Sequence, residues 1–151
     1  MKSFYNIEDS IKDAVNTEPF NSNVSRGDIA DIDLKRQSIF PLAHIMVNNM
    51  TIEENHVSFN VTLFLMDLVD DSKSADTSLF LGNDNEQDVL NTQAALATRV
   101  FRVLKKADLY RSEFELTSSP NCEPFKERFD NALAGWACTF DIATKSEMTY
   151  C

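Results

Sequence analysis

The chain has 151 residues, of which 43% are hydrophobic and 25% are charged, a composition typical of one globular domain and unlike that of disordered or membrane proteins. With 14 Lys and Arg against 24 Asp and Glu, the formal net charge is −10, which disfavours sequence-independent binding to nucleic acid. The three glycines lie far apart, so the sequence has no glycine-rich phosphate-binding loop. No long apolar run and no apolar signal core occur, and we expect a protein that is neither inserted into a membrane nor exported.

The net negative charge is concentrated in the first two thirds of the chain. Residues 1–98 contain 6 basic and 16 acidic side chains, whereas residues 99–151 contain 8 of each. We interpret the main basic concentration as the solvated face and basic end of a helix, because cations near a helix C-terminus interact favourably with its dipole. Its members are Arg99, Arg102, Lys105, Lys106 and Arg111.

The first predicted elements are a helix and an irregular segment. Apolar residues recur at three- and four-residue steps from Phe4 to Val15, and Pro19 ends the pattern, so we predict a helix over residues 3–16. Residues 17–38 are polar and irregular, with a short alternation of apolar residues in their second half. This segment is predicted to be a loop with at most one edge strand.

An antiparallel hairpin is predicted next, between residues 40 and 69. Side chains alternate with period two over residues 42–52 and again from Val57, and the polar residues 53–55 supply the turn. At Leu63–Met66 both faces of the second strand become apolar. We therefore expect a helix to cover this end of the strand.

The strongest helical pattern follows a polar connection. It is opened by Asp84 or Asn85 and runs to about Lys106, with one continuous apolar stripe, acidic residues before it and basic residues at its end. At about 1.5 Å per residue such a helix is long enough to span a sheet.

Two more strands complete the predicted domain, at Tyr110–Leu116 and Leu133–Ala143, with a short amphipathic stretch at Glu123–Asn131 between them. The order of elements predicts a single α+β domain over residues 1–151. We expect a mostly antiparallel sheet of four to five strands, packed by one long helix and one or two shorter helices.

Few residues suggest a chemistry, and no catalytic residue, metal or cofactor is predicted. His44 and His56 fall on or beside the hairpin strands without a cysteine or third histidine to complete a metal site, so we interpret both as structural. Three cysteines without a CxxC motif indicate neither a disulfide framework nor a zinc site. Cys138 shares a predicted core face with Trp136 and Phe140, which favours a packing role.

One acidic cluster leaves an enzymatic alternative open. Asp67, Asp70 and Asp71 follow the second hairpin strand and are similar to the carboxylate sets of two-metal hydrolases, although acidic loops after strands are common. A small metal-dependent hydrolase would melt at a higher temperature with a divalent metal, and Asp67→Asn would remove that shift.

An apolar island interrupts the polar connection over residues 71–83. Leu79, Phe80 and Leu81 are either a satellite of the core or a segment that docks on another subunit. Since the connection is longer than most loops in compact domains, we take these three residues as the candidate subunit interface.

Five segments carry a resemblance that covers most of the chain in order. They are SFYNIEDSIKD, VSRGDIADIDLKRQSIFPLAHIMV, FNVTLFLMDLVDD, DVLNTQAALATRVFRVL and EPFKERFDNALAGWACTFDI with the closing TYC. Together they resemble the neck and tail-completion proteins of tailed bacteriophages, especially those that infect Bacteroidetes. The shared motifs are structural, and the family has no catalytic residues to transfer.

The resemblance implies a tail-terminator-like fold and a structural role in the virion. Such proteins form a ring of six or twelve subunits that caps the tail tube or joins it to the head connector. The implied partners are further copies of the chain, the tail tube protein and the connector or stopper proteins, with DNA only passing through the lumen. The protein would be made in the cytoplasm of the host bacterium and end in the neck of the particle.

A third class is an acidic inhibitor or DNA mimic that binds a host protein. That class needs carboxylates spaced along one exposed face, whereas much of the acid in this chain lies in predicted loops. Recovery of a host nucleic-acid enzyme in a pull-down would favour this alternative.

Overall fold

A computed structural model describes residues 3–18, 23–28, 40–69, 86–106, 114–126 and 133–145 of the chain. In these ranges the protein is an α+β structure with two helices on a curled, six-stranded mixed sheet. The elements in chain order are α1 (Ser3–Asn16), β1 (Asn23–Arg26), β2 (Leu42–Ile52), β3 (His56–Leu68), α2 (Glu86–Lys105), β4 (Phe114–Leu116), β5 (Asn121–Lys126) and β6 (Leu133–Lys145).

The hairpin and the two helices lie where the periodicity predicts them. β2 and β3 pair antiparallel, and β3 then pairs antiparallel with β6 along its whole length. Because β3 occupies one edge of β6, β4 and β5 share the other edge, one after the other. α1 and α2 match the predicted helices to within two residues of the expected ends.

The prediction of a mostly antiparallel sheet with four to five strands needs two corrections. β1 adds a strand that pairs parallel to β2, so the sheet is mixed. Its four residues, Asn23–Arg26, contain a single apolar side chain, which leaves no alternation for a sequence pattern to detect. The start of the amphipathic stretch at Glu123 belongs to strand β5, and residues 127–131 lie outside the described part of the chain.

Both helices pack on one face of the sheet and form the main core there. α1 contributes side chains four residues apart, such as Ile7 and Ile11, and α2 contributes Leu96, Val100 and Leu104. Each fully buried side chain of this size stabilises the fold by about 1.5–3 kcal/mol. The strand residues of the same core are Ala43, Ile45, Val57, Phe59, Val61, Leu63, Leu65, Cys138, Phe140 and Ile142.

The opposite face of the sheet has an apolar end, which the sequence pattern predicts to be covered by a helix. Phe64 and Met66 of β3 are buried there, and in the described residues they pack against Phe125 of β5 and Leu133 of β6. The rings of Phe64 and Phe125 meet edge to face, 6.2 Å apart. Strand β5, on the far edge of β6, therefore packs on this apolar end through Phe125, where the sequence pattern predicts a helix.

The other end of this same face is polar, and its side chains form hydrogen bonds across three strands. A register shift beside Asn48 turns its amide onto this face, where it donates to the side-chain oxygens of Asn60 at 2.9 Å and Thr62 at 2.8 Å. Asn60 in turn donates to the carboxylate of Asp141 at 2.9 Å. The hairpin is thus fixed in register by side chains as well as by its backbone ladder.

Candidate functional site

The cavity between α2 and the strands β5 and β6 is the site with the most varied chemistry. It has a volume of about 380 Å³, within the range of small-molecule sites. Its walls are mainly apolar and aromatic, with a thiol on one side and two cations at the rim. The lining residues are Ala94, Ala97, Thr98, Phe101, Arg102, Lys105, Pro120, Cys122 and Trp136.

Two aromatic residues fix the floor of this cavity. The indole Nε1 of Trp136 donates a hydrogen bond of 2.8 Å to the carbonyl oxygen of Leu90, which ties β6 to the first half of α2. Phe101 meets Phe140 edge to face, with ring centroids 4.9 Å apart. These two contacts hold α2 at a set distance from β6, so the cavity is built into the packing of the fold.

The rim carries positive charge. Arg102 and Lys105 lie one turn apart in the last turns of α2, and both side chains are exposed, as predicted for a solvated basic face. The preceding Arg99 is bonded to Glu18 after α1, with 3.2 Å between nitrogen and oxygen. An apolar floor below two exposed cations suits a small molecule with an apolar part and a negative charge.

Cys122 and Cys138 are directly opposite each other on β5 and β6. Cys138 is fully buried, as its predicted core position requires, whereas Cys122 is half-buried and lines the cavity. The thiol of Cys138 donates a hydrogen bond to the sulfur of Cys122, which lowers the pKa of Cys122. The same hydrogen bond, together with burial, raises the pKa of Cys138.

Sequence reasoning missed this thiol pair because it requires the register of β5 on β6. Cys122 precedes the amphipathic pattern, so nothing in the spacing of the cysteines indicated that two of them are neighbours. The detectable signal was the alternation on β6, which placed Cys138 correctly on the helix-bearing face of the sheet.

A buried amide lies on the same helix. Gln93 is 2% exposed, and its Oε1 has no hydrogen-bond partner among the residues that the structure describes. It takes one of the core-facing positions of α2, between Val89 and Ala97. Such a group weakens the packing of α2 by about 1–3 kcal/mol relative to a satisfied amide.

His44 is a fully buried histidine with both ring nitrogens hydrogen-bonded. Its Nε2 lies 2.8 Å from the carbonyl oxygen of Gly27, and its Nδ1 lies 2.8 Å from Oγ of Ser25. Because a carbonyl only accepts, Nε2 carries the proton and Nδ1 accepts from the serine hydroxyl in the neutral ring. The imidazole thereby joins β2 to β1 and to the turn after it, the structural role that we expected.

Burial sets the charge of His44 and predicts a pH dependence. Desolvation lowers the pKa of His44 below its ordinary value of 6.5, against smaller opposing effects of the Gly27 carbonyl and the Asp28 charge. The unfolded chain therefore binds a proton more readily than the folded one, so the free energy of unfolding falls as the pH drops below about 6.5 and levels off below the folded pKa.

Urea unfolding at pH values from 5 to 8 measures this effect. His44→Gln is expected to be less stable at pH 8 and to lose the part of the pH dependence due to the histidine. His56→Gln at the hairpin turn is the matched control for the substitution itself. A His44→Gln profile parallel to that of the wild type would show that His44 binds its proton equally well in the folded and the unfolded chain.

A second cavity, of about 400 Å³, lies beside α1. At its edge Nε of Arg26 donates to the carboxylate of Glu8 at 2.6 Å, and Glu8 is 9% exposed in this pair. The contact links α1 to β1. The ion pair therefore holds the short parallel strand in place. The residues that line the cavity are Phe4, Glu8, Arg26, Gly27, Asp28, Met46, Val47 and Asn48.

The acidic residues of the hydrolase alternative are only partly described. Asp67 lies near the end of β3, where burial raises its pKa and its Oδ1 accepts a hydrogen bond of 2.8 Å from the Leu68 amide. Asp70 and Asp71 lie outside the described residues. In the parts of the chain that the structure describes, no group of three or more potential metal ligands is found.

The predicted interface residues Leu79, Phe80 and Leu81 also lie outside the described residues. The described part of the chain instead contains an exposed apolar group that the sequence did not reveal. Met50 and Ile52 at the tip of the hairpin are 50% and 72% exposed, and Tyr5 in the first turn of α1 is 64% exposed.

These three residues, which we call the apolar end, belong to α1 and to the hairpin strand β2, which meet through Phe4 and Phe59. Met50 is the register partner of Phe59, and the ring of Phe59 meets that of Phe4 edge to face at 5.8 Å. Tyr5 follows Phe4 directly, with its ring centroid 6.4 Å from that of Phe4. Alternation predicts that Met50 continues the strand but not that the side chains of Met50 and Ile52 are exposed.

Comparison with known proteins does not extend these observations. No family model matches the chain, and no curated protein is detectably similar to it in sequence. Neither helix in the described residues is long and apolar enough to cross a membrane.

Proposed function

We propose that this chain is a structural subunit of a tailed-bacteriophage particle with a tail-terminator-like fold. Copies of it form a closed ring of six or twelve subunits at the head–tail junction, where the ring caps the tail tube or joins it to the connector. The sequence resemblance suggests this role, and the apolar end is the observation that carries it. Exposed large apolar side chains grouped on a monomer are typical of a protein interaction site.

The occupant of the apolar end in this proposal is a second copy of the chain. A ring requires two different surfaces on each subunit that meet head to tail. The sheet has unlike edges, with β1 on one side and β4 and β5 on the other, and in the described residues none of these strands has a partner beyond the sheet. Met50 and Ile52 near the tip of the hairpin are exposed, so in this proposal the tip contacts a neighbouring subunit.

The polar connection adds a second contact in the same proposal. Leu79, Phe80 and Leu81 dock on the neighbouring subunit, and their deletion should leave a folded chain that no longer assembles. A deleted variant that still forms the ring would remove these residues from the interface.

The net charge of −10 suits a ring that lets DNA pass. An acidic surface has few cations to displace counterions from a phosphate backbone, so the ring does not hold the nucleic acid in its lumen. If charge-reversing substitutions around the lumen leave DNA passage unchanged, this part of the proposal is wrong.

Absolute mass in solution, measured by light scattering behind size exclusion over a concentration series, tests the assembly. We expect a closed oligomer of six or twelve subunits that negative-stain images show as a ring. A chain that stays monomeric to the highest concentration would contradict a ring formed by this protein alone, and the inhibitor alternative would then gain support.

A pair of variants tests the surface that we assign. Met50→Asp combined with Ile52→Asp should convert the oligomer to folded monomers, because a carboxylate on each side chain opposes burial of the apolar end. Val103→Asp is the matched control, since Val103 is also an exposed apolar residue, 45% accessible, but lies on α2. The assignment would be refuted if both variants lost assembly equally, or if neither variant lost it.

A further inference from the structure

The two thiols on β5 and β6 have the placement of a redox pair, and this inference is independent of the ring. Cys122 and Cys138 are register partners on neighbouring antiparallel strands. Directly opposed residues in such a pair have Cα atoms about 4.5–5.5 Å apart, inside the span of about 4.4–6.8 Å found in disulfides. Their Cβ atoms need to approach by roughly 1 Å to reach the disulfide distance.

The position of β5 allows this small approach. Among the described strands β5 pairs only with β6, so it is held by hydrogen bonds on one side. The strand is also short, with six residues from Asn121 to Lys126. A shift of β5 toward β6 therefore breaks no other ladder that the structure describes.

The two thiols differ in access, which assigns them different roles. Cys122 is half-buried and lines the cavity of about 380 Å³, so a molecule in the cavity can contact its sulfur. Cys138, its register partner, is fully buried. Cys122 is the attacking thiol in this arrangement, and Cys138 is the resolving thiol.

The surroundings favour the thiolate of Cys122. The hydrogen bond from the Cys138 thiol lowers the pKa of Cys122, and the thiolate is the nucleophile in disulfide exchange. Arg102 and Lys105 at the rim attract an anion toward the same sulfur. The apolar floor formed by Phe101 and Trp136 accommodates the uncharged part of that molecule.

We propose that Cys122 and Cys138 form a redox-active dithiol that is oxidised to a cross-strand disulfide by small anionic disulfides of the glutathione type bound in the cavity. The Cys122 thiolate attacks one sulfur of oxidised glutathione, the sulfur–sulfur bond breaks, and one glutathione leaves as a thiolate. Cys138 then attacks the Cys122 sulfur, the mixed disulfide breaks, and the second glutathione leaves as a thiolate that takes up the proton of Cys138.

The exchange balances without a further oxidant. The dithiol loses two electrons and two protons, and one molecule of oxidised glutathione is reduced to two molecules of glutathione. Reduced glutathione or dithiothreitol in excess reverses both steps.

The test uses the full-length chain with Cys151→Ser, so that the third cysteine does not react. The protein is incubated with oxidised glutathione, quenched with acid and measured by intact mass, followed by non-reducing peptide mapping. We expect a product lighter by two hydrogen atoms, with Cys122 linked to Cys138. A product that carries glutathione permanently, or no product while the denatured chain reacts, would overturn the proposal.

Two single variants separate the roles of the thiols. Cys138→Ser should accumulate the mixed disulfide between Cys122 and glutathione, because no resolving thiol remains. Cys122→Ser should take up no glutathione while folded, since Cys138 is buried. Reaction of Cys138 in the folded Cys122→Ser variant would contradict the assignment, and circular dichroism establishes that each variant is folded.

A separate pair of variants tests the role of the two cations at the rim, Arg102 and Lys105. Arg102→Ala with Lys105→Ala should slow the reaction with oxidised glutathione roughly tenfold and leave the reaction with the uncharged hydroxyethyl disulfide unchanged. Lys106→Ala is the matched variant, because Lys106 is exposed on the same helix end but does not line the cavity. An equal effect on both reagents would show that the rim does not select anions.

Discussion

Replacement of Gly135 by alanine is expected to destabilise this protein by about 3 kcal/mol or more, at the upper end of what overpacking costs. Gly135 lies on β6 opposite Met66 of β3. A Cβ atom at this position would overlap the carbonyl oxygen of Leu65 and lie 2.8 Å from the Cα of Met66. Because the obstructing atoms are backbone, no side-chain rotation relieves the clash.

Urea unfolding followed by circular dichroism measures the decrease in the free energy of unfolding for Gly135→Ala. The control is the reverse change at the next residue on the same face, Ala137→Gly, which should cost only about 0.5–1 kcal/mol through backbone entropy. If Gly135→Ala lies within 1 kcal/mol of the wild type, β3 and β6 do not approach as closely as the structure has them.

The close approach at Gly135 also shows where a sequence stops being informative. Alternation along β6 predicts which side chains point to the helices, and Phe140 and Ile142 are buried there as expected. It says nothing of which strand lies alongside, since register depends on contacts between residues far apart in the chain. Gly135 therefore has no visible signal until β3 is placed beside it.

The dependence of strand pairing on distant contacts also explains which secondary-structure elements the sequence predicts and which it does not. α1, α2 and the hairpin carry their signals within short windows, because their periodicity reports one face buried against a core. The four residues of β1 carry no such pattern, and its parallel pairing to β2 is made by the backbone and by the bond from Ser25 to His44. Local patterns thus identify half-buried elements, while short edge strands depend on tertiary contacts.

The candidate sites also combine features that local patterns predict with features that depend on tertiary contacts. The basic end of α2 is evident in the sequence, but the cavity beside it exists only because β5 and β6 pack against that helix. The thiol pair depends on one register, and the apolar end depends on which side chains of α1 and the hairpin stay exposed after packing. The sequence predicts the basic end of α2 and the core position of Cys138, but not the cavity, the thiol pair or the exposure of Met50 and Ile52.

Truncation of Phe140 to alanine is the second large effect that we expect, a loss of about 3–5 kcal/mol in the free energy of unfolding. Phe140 is 1% exposed and lies at the middle of β6, between the two helices and the sheet. Its ring meets that of Phe101 edge to face at 4.9 Å, so removing it leaves a cavity and loosens α2. Phe114→Ala on β4 removes a half-buried ring of the same core and should cost clearly less.

A double-mutant cycle with Phe101→Ala separates the ring contact from the loss of burial. The coupling between the two rings should be about 0.5–1.5 kcal/mol, the usual size for an edge-to-face pair. Because Phe101 also lines the cavity, both single variants should change the rate at which Cys122 reacts with a thiol reagent in the folded state. Additive losses in stability together with an unchanged thiol rate would mean that the Phe101–Phe140 contact does not position α2, and the cavity would then have to be held by Trp136 and its bond to Leu90 alone.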